Sequence, residues 1–134
     1  MIRRTFLMMS AAALIATATS AYASQDAIEY MPGDIKAALS KGETVFVDYY
    51  TSWCGTCKRQ GRVVSELRSK NPAYNKAMKF IKVDWDVYAS HAVSTSRNIP
   101  RRSTLLVLKG DKELGRIVAG TSESKIKALM DMGL

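Results

Sequence analysis

The segment Thr44–Tyr50 constrains the fold of this chain more than any other. It consists of β-branched and aromatic residues with few polar ones, which is typical of a strand covered on both faces in a mostly parallel sheet. Asp48 is the exception within the run. On the residues alone, Asp48 is either a strand-end carboxylate in water or an acid held inside the fold, because acids are almost never fully buried unless they are paired.

Strand and helix patterns alternate along the rest of the chain. Further strands are predicted at 27–31, 80–84, 104–108 and 114–119, and the last two form a hairpin with Gly110 in its turn. Helices are predicted at 34–41, 54–69, 87–97 and 122–132, with a short helical turn after Asn71-Pro72. This order predicts an α/β fold in which a central mixed β-sheet is flanked by helices on both faces.

The first 23 residues have the layout of a cleavable signal peptide. A basic start at 1–4 precedes an uncharged run at 5–18, and Ala21-Tyr22-Ala23 supplies the small residues of a cleavage site. The run is too short for a comfortable membrane span, so we predict cleavage after Ala23, with an uncleaved N-terminal anchor as the alternative. The residues that follow, 24–134, are expected to form one domain.

The start of the chain also bears on the export route. Arg3-Arg4 followed by Thr5-Phe6-Leu7 matches part of a twin-arginine signal, although Ile2 and Met8 depart from that pattern. The general secretory route and the twin-arginine route therefore both stay open. Either route predicts a periplasmic protein.

The charge of the chain limits its expected partners. Twenty basic and 12 acidic residues give a formal charge of +8, and loss of Arg3 and Arg4 with the signal peptide lowers it to +6. A basic surface can bind nucleic acid, acidic lipid or acidic protein segments. The basic residues are scattered and no nucleic-acid motif accompanies them, so nucleic acid is not an expected partner, nor is a membrane beyond the signal segment.

Cys54 and Cys57 are the only cysteines, and two residues separate them. A disulfide over so short a loop restrains the unfolded chain very little, so the pair should serve chemistry rather than stability. Zinc needs four ligands, and His91 is the only histidine; we expect it to be an ordinary helix residue. We predict no metal and no cofactor, with Cu(I) held by both thiolates and His91 as the alternative.

The predicted helix at 54–69 places the pair at a helix N-terminus. Unpaired N–H groups and the positive end of the helix dipole stabilise a thiolate at Cys54 relative to its thiol. Cys54 is therefore predicted to attack a substrate disulfide, and Cys57, one helical turn further on, to resolve the mixed disulfide. The two sulfurs carry the electrons themselves.

These features resemble the thioredoxin family over essentially the whole of 24–134. The likeness comprises a buried strand ending near Asp48, Trp53-Cys54-Gly55-Thr56-Cys57-Lys58 at a strand-to-helix junction, then Ile99-Pro100, a hairpin and a C-terminal helix. The resemblance implies the thioredoxin-like fold and thiol-disulfide exchange with protein substrates.

The resemblance also implies roles for single residues. Asp48 matches a buried acid that exchanges a proton with Cys57 through water, and Lys82 matches the lysine that pairs with this acid. Pro100 matches a cis-proline against the sulfurs, in a loop with Ile99 that pairs with the extended substrate chain. The other substrate-side positions are Trp53 as a docking platform, Gly55 and Thr56 between the cysteines, and Gly120 after the hairpin.

Two departures from the family pattern affect the expected function. Thr56 replaces the usual proline between the cysteines, where this family tunes its redox potential, so the direction of electron flow stays open. Arg101-Arg102-Ser103 follow Pro100, where most thioredoxins enter the next strand almost directly. If the two arginines flank Cys54, they lower the pKa of its thiol and favour acidic partner segments.

We expect an exported, monomeric thiol-disulfide oxidoreductase that reduces exported proteins and receives electrons from a membrane partner. Gly55 and Lys58 favour the reductant direction within the family resemblance. One alternative is a periplasmic dithiol oxidase or isomerase, and another is a thioredoxin-like module that binds Cu(I) or a docking partner.

Overall fold

The computed structural model describes residues 27–134. The signal peptide predicted at 1–23 lies outside these residues. None of the helices formed by 27–134 has the length and apolar character needed to cross a membrane.

Strands and helices alternate along 27–134. The strands are β1 (Ile28–Glu29), β2 (Thr44–Tyr50), β3 (Met78–Asp84), β4 (Thr104–Lys109) and β5 (Lys112–Val118). The helices are α1 (Asp34–Ser40), α2 (Gly55–Lys70), α3 (Ala73–Ala77), α4 (Trp85–Tyr88), α5 (Ala92–Thr95) and α6 (Glu123–Asp131).

The five strands form one mixed sheet in the order β1-β3-β2-β4-β5. β3 pairs in parallel with β1 and with β2, whereas β4 runs antiparallel to β2 and β5 antiparallel to β4. β2 is therefore central, and its carboxyl end delivers the chain to the N-terminus of α2. The predicted mixed sheet with helices on both faces is confirmed.

Alternate side chains of β2 enter two separate cores, which explains why the run is apolar throughout. Phe46 packs with residues of α2, α3 and α6 on one face of the sheet. Val45, Val47 and Tyr49 pack on the other face with residues of α1 and with Ile99. Each fully buried large side chain contributes about 1.5–3 kcal/mol, so the two cores hold β2 and the start of α2 firmly in place.

The helix predicted at 87–97 is wrong, because the structure has two four-residue helices, α4 and α5. The Asp84 carboxylate accepts a hydrogen bond from the Asp86 N–H at 2.9 Å and so begins α4 directly after β3. The Tyr88 ring then packs edge-on against Tyr30, and His91 takes an extended conformation that starts α5 anew. Capping and aromatic packing outweigh the helical periodicity of this segment.

The hairpin is tighter than predicted. β4 continues to Lys109 and β5 begins at Lys112, so that only Gly110 and Asp111 form the turn. Gly110 has a φ of 60°, a conformation that glycine adopts without steric cost. This register carries the chain back along β5 to Ala119 and Gly120, beside the N-terminal end of α2.

Candidate active site

Cys54 and Cys57 lie where β2 passes into α2, as predicted. Cys54 is the N-cap residue of α2: its Sγ accepts a hydrogen bond from the Cys57 N–H at 3.2 Å, and its carbonyl accepts one from Lys58. The two sulfurs form a disulfide, with Cα atoms 5.3 Å apart. A negative charge on Cys54 Sγ would face an N–H group and the positive end of a 16-residue helix.

Exposure does not distinguish the two sulfurs, since each cysteine is 4% exposed. Gly55 between them is exposed and Thr56 is half-buried, so both lie at the rim of the site. Trp53, directly before Cys54, is 59% exposed and presents a large aromatic surface there. The position along α2 is what separates the two thiols chemically, with Cys54 outside the helix and Cys57 within its first turn.

Ser103 takes the place predicted for Pro100. Ser103 Oγ is 3.3 Å from Cys54 Sγ and 3.0 Å from Cys57 Sγ, and Ser103 is fully buried. Pro100 lies three residues earlier and is exposed. The predicted cis bond before Pro100 is wrong, because 27–134 contain no cis peptide bond.

Backbone hydrogen bonding explains why Ser103, the residue directly before β4, lies against the sulfurs with a trans peptide bond where a cis-proline was predicted. The Ser103 N–H donates to the Tyr49 carbonyl at 2.7 Å, a bond that a proline at this position would lack. A non-proline residue also prefers the trans peptide by about 2.5–4 kcal/mol. Ile99, predicted on the substrate side, instead lies in the second core, with its N–H bonded to the Ser94 carbonyl at 3.1 Å.

Gln60 ties the two loops beside the sulfurs to α2. Its Nε2 donates to the Ser103 carbonyl at 3.0 Å and to the Gly120 carbonyl at 2.9 Å. Gln60 is fully buried, and its Oε1 has no hydrogen-bond partner. Gly120 therefore lies next to the active-site helix as predicted, held through its carbonyl group.

Asp48 lies beneath α2, on the same face of β2 as Phe46. It lines a cavity of about 350 Å³ together with Gly61 and Val64 of α2 and Lys82 of β3. Its Oδ1 is buried and has no hydrogen-bond partner. Burial raises the pKa of Asp48 from 3.8 to about 7, against the opposing effect of the Lys82 charge.

Lys82 is the register neighbour of Asp48, yet its ion pair is with Glu29. The Lys82 Nζ lies 3.3 Å from Glu29 Oε1, which also accepts a hydrogen bond from the Tyr50 hydroxyl at 2.5 Å. Lys82 Nζ further lies 4.7 Å from the centre of the Tyr50 ring. Among the described residues, no ion pair joins Lys82 to Asp48, so the predicted pairing is replaced by a charge effect at longer range.

Trp53 contacts one negatively charged and one positively charged side chain. Its Nε1 donates to Asp86 Oδ2 at 2.9 Å, and the Arg102 guanidinium carbon lies 4.3 Å from the centre of the ring. Arg102 Nε is buried without a hydrogen-bond partner, while Arg101 Nε donates to the Arg102 carbonyl at 3.0 Å. The inserted segment therefore places Arg102 directly on the residue before Cys54.

The described residues contain no group of three or more metal-ligating side chains. His91 is the exposed N-cap residue of α5, where its ring packs edge-on against Tyr88. His91 therefore directly precedes a helix instead of lying within one, as the helix predicted at 87–97 required.

Sequence reasoning missed three residues of the site, namely Ser103, Gln60 and Glu29. The residue directly before the strand predicted at 104–108 is Ser103, so aligning the family's pattern on the start of this strand, instead of on Pro100, would have placed Ser103 next to the sulfurs. A glutamine on the helix face shared with Cys57 was also a visible signal, since Gln60 follows it by three residues. Glu29 had no comparable signal, because its contact depends on the register between β1 and β3.

Comparison with known proteins agrees with this geometry. Residues 26–132 match the family described as Thioredoxin. Thioredoxin 1 of Plasmodium falciparum is 32% identical over 98 residues, covering 73% of this chain and 88% of that protein. Thioredoxin C-2 of Corynebacterium nephridii is 32% identical over 103 residues, covering 75% of this chain and 90% of that protein.

Solved structures give the same result. Trxlp from Edwardsiella tarda superposes with a TM-score of 0.66 at 28% identity, covering 77% of this chain and 98% of that one. The oxidised thioredoxin from Plasmodium falciparum superposes with a TM-score of 0.63 at 29% identity, covering 79% and 96%. With this likeness and a Cys-x-x-Cys disulfide at the start of α2, the chain belongs to the thioredoxin family of protein thiol-disulfide oxidoreductases.

Proposed function

We propose that this thioredoxin-family protein is exported to the periplasm and reduces disulfides in other exported proteins. Cys54 attacks the substrate disulfide and Cys57 resolves the resulting mixed disulfide. The observation that carries this order is the place of Cys54 at the N-cap of α2, where the Cys57 N–H donates to its sulfur.

Asp48 supports the second half of the reaction. Cys57 must lose its proton before it can attack Cys54, and an acid with a pKa of about 7 accepts a proton readily near neutral pH. The cavity that Asp48 shares with Gly61 and Val64 leaves room for water between the carboxylate and α2. Asp48 thus serves as the base for Cys57 in the proposed mechanism.

Export is supported by the basic start, the uncharged run and the Ala21-Tyr22-Ala23 site. In the proposed function the mature protein acts as a monomer, and a membrane partner returns electrons to the disulfide. Expression of the full chain in a bacterium tests the export step. We expect the protein in the periplasmic fraction, beginning at Ser24; recovery of the full-length chain in the membrane fraction would instead indicate an anchor.

The activity is tested by insulin reduction in the presence of dithiothreitol. Cys54→Ser should abolish it, whereas Cys57→Ser should accumulate a mixed disulfide between Cys54 and the substrate, visible by mass spectrometry. Trapping through Cys57 in Cys54→Ser instead would reverse the proposed order of attack.

The direction of electron flow is tested by equilibrating the mature protein with glutathione or dithiothreitol buffers. A reduction potential of about −270 mV is expected for a reductant, and one of about −120 mV would make the protein an oxidant. Tight Cu(I) binding that depends on His91, without insulin reduction, would favour a metal-binding module.

A further inference from the structure

We propose that the Ser103 hydroxyl is a catalytic group of the exchange reaction, which donates a hydrogen bond to whichever active-site cysteine carries negative charge. Its Oγ lies within 3.3 Å of Cys54 Sγ and 3.0 Å of Cys57 Sγ. A hydroxyl has one proton to donate, and from this point it reaches both sulfurs by rotation alone. The proposal rests on the proposed order of attack, in which Cys54 acts first.

The position of Ser103 is fixed by its backbone. Its N–H donates to Tyr49 at 2.7 Å, and its carbonyl accepts from the Ala119 N–H at 2.8 Å and from Gln60 Nε2 at 3.0 Å. Its φ of 63° lies in the left-handed region, which non-glycine residues adopt at a steric cost. Three hydrogen bonds, to β2, to the residue directly after β5 and to α2, hold this strained residue and keep its side chain in one place.

The hydroxyl has more to gain from a thiolate than from a disulfide. A disulfide sulfur is a weak acceptor, whereas a thiolate accepts a charge-assisted hydrogen bond, which is roughly twice as strong as a neutral one. Ser103 is fully buried and each cysteine is 4% exposed, so the three groups are largely shielded from water. The hydrogen bond therefore stabilises the reduced, thiolate form more than the oxidised form.

The same hydroxyl serves both halves of the reaction. The Cys54 thiolate attacks one substrate sulfur, the substrate S–S bond breaks, and the departing sulfur takes the electron pair. Cys54 is now neutral within the mixed disulfide, and the hydroxyl turns to Cys57. Cys57 gives up its proton to Asp48, the base of the proposed mechanism, which passes a proton on to the first departing sulfur, and the Cys57 thiolate attacks Cys54 Sγ.

This second attack forms the Cys54–Cys57 bond and breaks the bond between Cys54 and the substrate. The second substrate sulfur leaves with that electron pair, so two electrons pass from the cysteine pair to the substrate. The reaction needs no further oxidant or reductant. The proton of Ser103 stays on its oxygen throughout.

Two variants without the hydroxyl test the proposal, Ser103→Ala and Ser103→Gly. The glycine variant also relieves the strain at a φ of 63°, so it provides a folded protein should the alanine variant be unstable. Ser94→Ala is the matched control, because Ser94 is likewise fully buried and its Oγ has no hydrogen-bond partner. Circular dichroism confirms that each variant is folded.

The first readout is the pKa of the Cys54 thiol, from thiolate absorbance near 240 nm against pH. The second is the equilibrium constant with glutathione. We expect both Ser103 variants to raise the Cys54 pKa by about one unit, a tenfold change in the thiolate equilibrium. Their disulfide should be favoured by up to about tenfold, equivalent to about −30 mV for a two-electron couple, with Ser94→Ala unchanged.

Wild-type values in both Ser103 variants would overturn the proposal. A shift in Ser103→Gly that is absent from Ser103→Ala would also overturn it, because relief of the backbone strain, which only glycine provides, would then be the cause rather than loss of the hydroxyl. Failure of the proposed function is recognised separately, since insulin reduction that survives Cys54→Ser contradicts the order of attack whatever Ser103 does.

Discussion

The two polar groups beneath α2, Ser103 and Asp48, are held in opposite ways. Both backbone groups of Ser103 are bonded, and its hydroxyl touches both sulfurs. Asp48 has a buried oxygen without a partner, and the neighbouring Lys82 forms its ion pair with Glu29 instead. Ser103 therefore has a fixed position, whereas Asp48 is able to gain or lose a proton.

The difference follows from what each group must do. A group that stabilises charge on a nearby sulfur works best when it need not reorganise, as preorganised donors do in other enzymes. A group that takes up and returns a proton needs a pKa near the working pH, which burial without a close counter-charge provides. The site thus combines a preorganised donor with a titrating acid.

The largest expected effect comes from removing the charge of Asp48. Its pKa is about 7 in the folded protein and 3.8 unperturbed, so the folded state holds this proton more tightly and loses stability as pH rises through that window. Asp48→Asn carries no charge at any pH. Between pH 4 and pH 8 the variant should gain about 4 kcal/mol of unfolding free energy relative to wild type.

Urea unfolding of the oxidised proteins at pH 4, 6 and 8 measures this difference. Other titrating groups cancel because they are present in both chains. Asp111→Asn, in the exposed hairpin turn, is the control, because it removes a carboxylate from the surface instead of from beneath α2. A difference for Asp48→Asn that does not vary with pH would mean that Asp48 is charged and solvated at pH 7, which breaks the contrast with Ser103.

A smaller effect, a loss of stability, is expected when the hydrogen bonds between Gln60 and the loops beside the sulfurs are removed. Gln60→Leu keeps a buried side chain of similar size but removes the hydrogen bonds to Ser103 and Gly120. Because the lost bonds leave a buried carbonyl less satisfied, unfolding free energy should fall by about 1–2 kcal/mol. Urea unfolding measures the change, with Arg59→Leu on the exposed face of α2 as the control.

The second readout for Gln60 is local. Hydrogen exchange at the Ala119 N–H, which donates to the Ser103 carbonyl, should become faster in Gln60→Leu. Exchange as slow as in wild type, with unchanged stability, would show that Ser103 does not need α2 to hold it.

The sequence predicted the parts of the fold that follow from local pattern. The run at 44–50 is apolar on both sides because both faces of β2 are covered, and the cysteines lie at the start of α2 as its amphipathic spacing indicates. The helix at 87–97 was predicted wrongly, since its break depends on Tyr88 meeting Tyr30, which is remote in sequence.

The contacts of the active site, like the break in the helix predicted at 87–97, depend on residues that are remote in sequence. Pro100 was predicted from its resemblance to the family's cis-proline after Ile99, yet the residue that lies against the sulfurs is the one that directly precedes β4. The pairing of Lys82 with Glu29 depends on two strands that lie about 50 residues apart meeting in register. Neither contact follows from local composition or spacing.

Glu29→Gln tests whether Asp48 has a raised pKa because the ion pair with Glu29 keeps Lys82 away from it. The negative charge that raises the Asp48 pKa is removed, and the Lys82 ammonium is released beside its register neighbour Asp48. The Asp48 pKa should therefore fall by about one unit. Carboxyl ¹³C chemical shifts against pH measure it, with the Asp48 signal assigned from Asp48→Asn.

Glu113→Gln is the matched control for this variant, because it also removes an acid from an ion pair on the sheet, with Arg116. The Asp48 pKa should not change in this control. A pKa that stays the same or rises in Glu29→Gln would show that Glu29 does not hold Lys82 away from the acid.

The smallest expected effect concerns substrate choice at the rim of the site. Arg102→Ala removes the guanidinium that lies 4.3 Å from the centre of the Trp53 ring, and with it one positive charge beside Cys54. An exposed ion pair between Arg102 and an acidic flank contributes up to about 1 kcal/mol, so kcat/KM for a disulfide peptide with acidic flanks should fall by up to about fivefold. A neutral peptide should be reduced nearly as fast as before.

The decisive comparison is between Arg102→Ala, Arg102→Lys and Arg62→Ala, the last of which removes an exposed charge from α2 away from Trp53. Lysine keeps the charge without the planar stack, so it should restore part of the preference for acidic peptides. Raising the salt concentration should weaken that preference in wild type and leave Arg102→Ala almost unaffected, because charges at the surface are screened. Equal losses in Arg102→Ala and Arg62→Ala would mean that net charge, rather than the residue stacked on Trp53, selects the substrate.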